Sequence, residues 1–229
     1  MRRIAALALV VLIAGCFTLV SASATTSYDV LMDARVRGPV LFIGDSNETR
    51  AATAITLALT GRQDAYLPIM VSRVGQGIRG RVGCLCANSD YWKYKIANVL
   101  AAVPNVSAVV IDLGINDADM PGTATTIGYS SYAAKIDWLL KLLPAGVPIM
   151  WTNLPCSIEP ARFQTGCNAV NLALSVERTK SPNLTIPNWS LVALNRTDFI
   201  EPDDVHLSEA GYTNWATLVV HALDSRTAP

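Results

Sequence analysis

Val106-Ser107-Ala108-Val109-Val110-Ile111-Asp112-Leu113, followed at once by Gly114-Ile115-Asn116-Asp117, is the stretch on which the fold turns. Its apolar residues run on without the every-second-residue alternation of a half-exposed strand. Such a run, rich in β-branched residues, reads as a strand buried on both faces, the usual state of strands in a parallel sheet. Working outward, Pro39-Val40-Leu41-Phe42-Ile43 has the same character and ends at Gly44. Residues 67–74 and 147–154 read as two more strands, the second stopped by Pro155, and 184–189 as a short, proline-broken one. Helical patterns fill the intervals: 51–59, 91–102, 132–143, 167–180 and finally 208–223, with Ser208 as N-cap. In the third of these, Ile136, Leu139, Leu140 and Leu143 carry the i, i+3, i+4 spacing. Strands alternating with helices make βαβ units, so the class is α/β with a central parallel sheet, in one domain over 25–229. In such sheets, sites lie beyond the carboxyl ends of the strands.

The chain has 229 residues, with 18 Lys+Arg against 18 Asp+Glu. There is no basic excess to neutralise a phosphate backbone, which argues against nucleic acid as a partner. A hydrophobic share of 51% with 16% charged excludes a disordered chain. Arg2 and Arg3 precede an apolar run over 4–20, and Ala22-Ser23-Ala24 supplies the small residues of a signal-peptidase site. Residues 1–24 therefore read as a signal peptide. Ile13-Ala14-Gly15-Cys16 offers a second reading, a lipoprotein leader lipidated on Cys16, although the apolar run continues past it. An uncleaved anchor is the third, at the short limit for spanning a bilayer core of ~30 Å. All three put the domain outside the cytoplasm, secreted or in the cell envelope, with membrane contact only through the leader.

Besides Cys16 there are four cysteines: Cys84, Cys86, Cys156 and Cys167. An even number in an exported chain suggests disulfides. A Cys156–Cys167 bond would close a short loop; a bond from Cys84 or Cys86 to that loop would tie distant segments together. A zinc site is disfavoured, because Cys84-Leu85-Cys86 lacks the C-x2-C spacing of a ribbon.

The chemistry lies just beyond the strand ends. Gly44-Asp45-Ser46-Asn47 comes after the first strand, Gly75-Gln76-Gly77 after the second, and Gly114-Ile115-Asn116-Asp117 after the third. Before the last helix stands Asp203-Asp204-Val205-His206-Leu207. A serine hydroxyl is a poor nucleophile until a base takes its proton. The chain has only 2 His, and His221 falls among apolar residues of the last helix, a structural position. That leaves His206, three residues after Asp203, whose carboxylate can accept from the imidazole and fix its tautomer. Asp204 is the lesser alternative for that role. Attack on an ester creates an oxyanion, for which the candidate donors are the backbone N–H of Ser46, that of a glycine after the second strand, and the Asn116 amide.

Taken together, Gly44-Asp45-Ser46, the glycine after the second strand, Gly114-x-Asn116-Asp117 and Asp203-x-x-His206 resemble the four blocks of the SGNH (GDSL-type) hydrolases. The likeness runs from about Val40 to Tyr212. It implies a flavodoxin-like three-layer α/β/α sandwich and a metal-free, cofactor-free acyl-ester hydrolase acting on a small-molecule, carbohydrate or lipid ester. Residue by residue, Ser46 matches the nucleophile, His206 the base, Asp203 its orienting carboxylate and Asn116 an oxyanion donor. The second-block glycine is Gly75 or Gly77, with Gly75 favoured by the run Val74-Gly75-Gln76. Asn47 departs from the family, where an apolar residue is common after the serine; the expected consequence is an altered pocket rim. An acyltransferase with a sugar or lipid acceptor would use the same residues, and a non-catalytic binding module could keep the fold. Arg73, Arg79 and Arg81, beside the second block, suggest attraction of an anionic or sugar-bearing substrate. The acyl chain, the alcohol and the oligomeric state are not specified by the sequence.

Overall fold

The computed structural model describes residues 37–61, 66–80, 90–118, 129–159, 161–203 and 205–227. The leader with Cys16, and Arg81, Cys84, Cys86 and Asp204, lie outside the described residues. Five strands, β1 (Pro39–Gly44), β2 (Leu67–Ser72), β3 (Ala108–Asp112), β4 (Ile149–Trp151) and β5 (Leu184–Thr185), form one sheet in the order β2-β1-β3-β4-β5. All pairings are parallel, with Leu41 opposite Ile69 on one side and Val109 on the other. Between the strands run α1 (Ser46–Thr60), α2 (Tyr91–Ala102), a single turn α3 (Ile115–Ala118), α4 (Tyr129–Leu140), α5 (Ala161–Lys180), a second short turn α6 (Trp189–Val192) and the C-terminal α7 (Glu209–Thr227).

The uninterrupted apolar strands are apolar because each face meets helices. Val40, Phe42, Val110 and Met150 point to one side, into a core shared with Ile55 and Leu59 of α1 and with Trp215, Val219 and Leu223 of α7. Leu41, Ile43, Val109, Ile111 and Trp151 point to the other, against Trp92 and Ile96 of α2, Ile136 and Leu139 of α4, and Val170 and Leu174 of α5. The result is the three-layer α/β/α sandwich expected from the blocks.

Several boundaries differ from the sequence reading. Helix α1 begins at Ser46, not 51, because Asp45 caps it: its Oδ1 accepts from the Asn47 N–H at 2.9 Å. The last helix is capped as expected, with the Ser208 hydroxyl accepting from the Gly211 N–H at 3.2 Å. Helix α5 starts six residues before the expected 167, with Cys167 buried within it. That cysteine is bonded to Cys156, which fastens the loop after β4 to α5. His221 is exposed on α7, not part of the core. Among the described residues no helix is long and apolar enough to cross a membrane.

Candidate active site

Ser46 is the first residue of α1, directly beyond the carboxyl end of β1, and His206 lies in the loop before α7. Although 160 residues apart, they meet: His206 Nε2 is 3.0 Å from Ser46 Oγ. On the other side of the ring, Nδ1 is 2.6 Å from Asp203 Oδ2. Asp203 is anchored in turn by its own loop, since Oδ1 accepts from the backbone N–H groups of His206 at 2.9 Å and Val205 at 3.1 Å. The His206 N–H and then the His206 ring hold this carboxyl well below the usual range. The carboxylate therefore stays ionised and keeps Nδ1 as the donor, which leaves Nε2 lone-pair density facing the serine hydroxyl. Asp203 has 42% of its side chain exposed, and Arg50 of α1 approaches it to 3.8 Å.

After β2 the chain turns sharply. The Gln76 N–H donates to the Arg73 carbonyl at 3.0 Å, and Gly75, third in the turn, has φ 71°, a conformation costly for any residue with a Cβ. The Gly77 N–H donates to the Gly80 carbonyl at 2.8 Å and is thus committed, whereas among the described residues no such backbone bond takes the Gly75 N–H. Asn116 sits in α3, and its Nδ2 donates to Asp45 Oδ2 at 2.6 Å and to the Gln76 carbonyl at 3.3 Å. The amide is held on the same side as the Gly75 turn, with its second, longer bond the one more readily exchanged.

Asp117 holds the two loops in register. Its Oδ2 accepts from the Ile78 N–H at 2.6 Å and its Oδ1 from Lys135 Nζ of α4 at 2.8 Å. Gly77 packs so closely on this carboxylate that a Cβ there would come within 2.5 Å of an oxygen. Burial raises the Asp117 carboxyl, against the pull of Lys135. Trp92 Nε1 adds a bond to the Gly77 carbonyl at 3.0 Å, and the buried Gln76 amide donates to the Gly80 carbonyl at 2.8 Å.

Beneath Ser46 lie three further carboxyls that no sequence pattern announced as a group. Asp45, Glu48 and Asp112 face one another across the ends of β1 and β3. Burial, then Asp112, raises Asp45; burial, then Asp112 and Asp45, raises Glu48; burial pushes Asp112 up to about 6 against a bond from Thr152 Oγ1 at 3.0 Å. Glu48 is fully buried, and neither of its carboxyl oxygens has a hydrogen-bond partner among the described residues. Such an acid holds its proton more tightly folded than unfolded. Its contribution favours the fold at low pH and is lost as pH rises from about 4 through the raised folded value. The Glu48→Gln variant, close in shape and uncharged, is therefore expected to gain in urea midpoint over the wild type as the pH goes from 5 to 8. A gap that shrinks over that interval would show that Glu48 is not the strained acid.

Asn47 does more than alter a pocket rim. Its side chain bonds to the histidine loop and to Tyr212, a role invisible in a tripeptide motif. Of the arginines beside the second block, Arg73 lies over the Tyr91 ring at 4.5 Å and Arg79 over Trp138 at 4.7 Å. Both are thus engaged with aromatic faces. A cavity of about 20 Å³ has among its walls the immediate neighbours of the site residues, Asp45, Asn47, Ile115 and Leu207, together with Leu154 and Pro155. Among the described residues no group of three or more His, Cys, Asp or Glu is arranged to hold a metal ion.

No protein-family model matches the chain, and no curated protein matches it by sequence. Solved structures do match by shape. A lipase/acylhydrolase from Enterococcus faecalis aligns with a TM-score of 0.61 at 16% identity, over 82% of this chain and 96% of that one. The catalytic domain of a peptidoglycan O-acetyltransferase from Streptococcus pneumoniae aligns with a TM-score of 0.59 at 21% identity, over 83% and 94%. A carbohydrate acetylesterase from Sinorhizobium meliloti gives 0.59 at 14%, over 83% and 100%. The chain has the fold of these enzymes, the SGNH hydrolase fold that its four blocks resemble.

Proposed function

We propose that this chain is a serine hydrolase of acyl esters that works through an acyl-enzyme. The observation that carries the reading is the unbroken relay from Ser46 Oγ through His206 to Asp203, with links of 3.0 and 2.6 Å. In the first step Ser46 Oγ attacks the ester carbonyl while its proton passes to His206 Nε2. The tetrahedral oxyanion is met by the N–H groups of Ser46 and Gly75 and by the Asn116 amide, which releases its longer bond to the Gln76 carbonyl. Collapse expels the alcohol, which takes the proton from His206. Water then attacks the acyl-enzyme, gives its proton to the same nitrogen, and the acid leaves as Ser46 recovers its hydrogen. Asp203 stays ionised throughout and stabilises the imidazolium. Export, read from the leader, belongs to the same proposal, and the Cys156–Cys167 bond supports an oxidising compartment.

The test is labelling with a fluorophosphonate together with hydrolysis of p-nitrophenyl acetate. The wild-type protein should label and hydrolyse, and Ser46→Ala should do neither. A Ser46→Ala protein that still labels and still cleaves the ester ends the proposal.

The likeness to a peptidoglycan O-acetyltransferase domain favours one second reading, in which a sugar hydroxyl replaces water in the second step. Adding acceptor alcohols separates the two: transfer product growing at the expense of free acid supports the transferase, and unchanged acid release supports the hydrolase.

A further inference from the structure

Ser46 and His206 come from segments far apart in sequence, so something must hold the histidine loop against the serine helix. The loop closes on itself without help: the Glu201 N–H donates to the His206 carbonyl at 2.8 Å, and the Ser208 N–H to the Phe199 carbonyl at 2.8 Å. These bonds shape a small antiparallel turn, with Ile200 bridged to Leu207. Asp203 and His206 are paired inside it. None of these bonds reaches α1.

The links across to α1 come from its first turn. Asn47 Oδ1 accepts from the Leu207 N–H at 3.2 Å and from the Tyr212 hydroxyl of α7 at 3.0 Å. Its Nδ2 donates to the Val205 carbonyl at 3.4 Å. Three bonds from one side chain thus bracket His206 on both sides and tie in the start of α7. One turn on, Arg50 Nη1 lies 3.4 Å from Glu201 Oε2 and 3.8 Å from Asp203 Oδ2, half-exposed pairs that contribute little in water. Asn47 adjoins Ser46 in the same helix turn, so whatever fixes the loop to Asn47 fixes His206 to the hydroxyl it must deprotonate.

Building on the function proposed above, we propose that Asn47 is a positioning residue that latches the His206 loop to the nucleophile helix and so sets the Ser46–His206 distance. Proton transfer is steep in that distance, and a misplacement of about 1 Å can cost about a hundredfold in rate. Because Asp203 and His206 move together in their loop, releasing the latch lowers turnover without disturbing their pairing.

The experiment uses Asn47→Ala and Tyr212→Phe in the full chain, with two readouts. The first is amide hydrogen exchange, which needs no activity. In Asn47→Ala the Leu207 amide loses its bond to α1 and should exchange about tenfold or more faster, while the Glu201 and Ser208 amides, bonded within the loop, keep their protection. The second is turnover of p-nitrophenyl acetate per site titrated with fluorophosphonate, which removes any loss through misfolded protein. Asn47→Ala should lower kcat per site about ten- to a hundredfold, with KM and the pH at which the acid limb of kcat/KM breaks both near wild type. Tyr212→Phe, which removes one of the two donors to Oδ1, should fall between the variant and the wild type in both readouts. Wild-type exchange at Leu207 in Asn47→Ala overturns the latch, and so does wild-type turnover per titrated site. Failure of the hydrolase reading looks different: the wild-type protein itself neither labels nor turns over, and Leu207 exchange then decides the latch alone.

Discussion

Replacing His206 with alanine should lower kcat/KM for an acetyl ester by about ten thousandfold, because in the proposed mechanism its Nε2, 3.0 Å from Ser46 Oγ, takes the serine proton. The residue left behind is an unactivated hydroxyl in an otherwise intact site. Fluorophosphonate labelling should slow in parallel, since it needs the same deprotonation. Asp203→Asn should fall nearly as far, by about the same order. An amide at that position can present its NH2 to Nδ1 and leave the ring donating from Nε2, the wrong tautomer for a base. Initial-rate assays on the two variants measure both effects. Rates within a few fold of wild type in either would mean that the short contacts to the ring at 3.0 and 2.6 Å play no part in turnover.

The largest expected effect on stability lies at Asp117. Its carboxylate is fully buried, and Lys135, 13% exposed, is its ion-pair partner at 2.8 Å. Removing it in Asp117→Ala strands the lysine charge and orphans the Ile78 N–H, an expected loss of about 3–5 kcal/mol. Adding Lys135→Met should restore part of that loss but not all, because the Ile78 N–H remains without an acceptor. Urea unfolding of the single and double variants reads this directly. Activity should fall in both, since the turn carrying Gly75 is held to Asn116 through this carboxylate. A double variant less stable than Asp117→Ala would show that the lysine is not the source of the loss.

Much of this architecture is legible in the sequence because it is written locally. An apolar strand succeeded by a glycine and a short polar run is contiguous, and so is Asp203-x-x-His206; the parallel sheet then brings such segments to one edge. The features that escape a sequence reading depend on partners distant in the chain. Nothing near Asn47 indicates that its amide will meet Leu207 and Tyr212, some 160 residues away. The buried group of Asp45, Glu48 and Asp112 exists only once β1 and β3 are side by side. In the sequence Asp45 reads only as part of the serine block, although it caps α1 and bonds Asn116; the Asp45-x-x-Glu48 spacing is the available signal for an early helix start. Lys135 lies on an ordinary amphipathic helix, and its pairing with Asp117 comes from how that helix crosses the sheet. The proposed choice of Gly75 over Gly77 likewise rests on the turn itself, in which the Gly77 N–H is consumed by a backbone carbonyl while, among the described residues, no backbone bond takes the Gly75 N–H.

In the proposed mechanism Ser46 Oγ forms a covalent ester with the acyl group. Rapid acid quenching during turnover of p-nitrophenyl acetate, coupled to peptide mass mapping, addresses it most directly. One acetyl group is expected on the peptide containing Ser46 and none in the Ser46→Ala protein. An acetyl group carried on another residue, or full turnover by Ser46→Ala without any adduct, would contradict it.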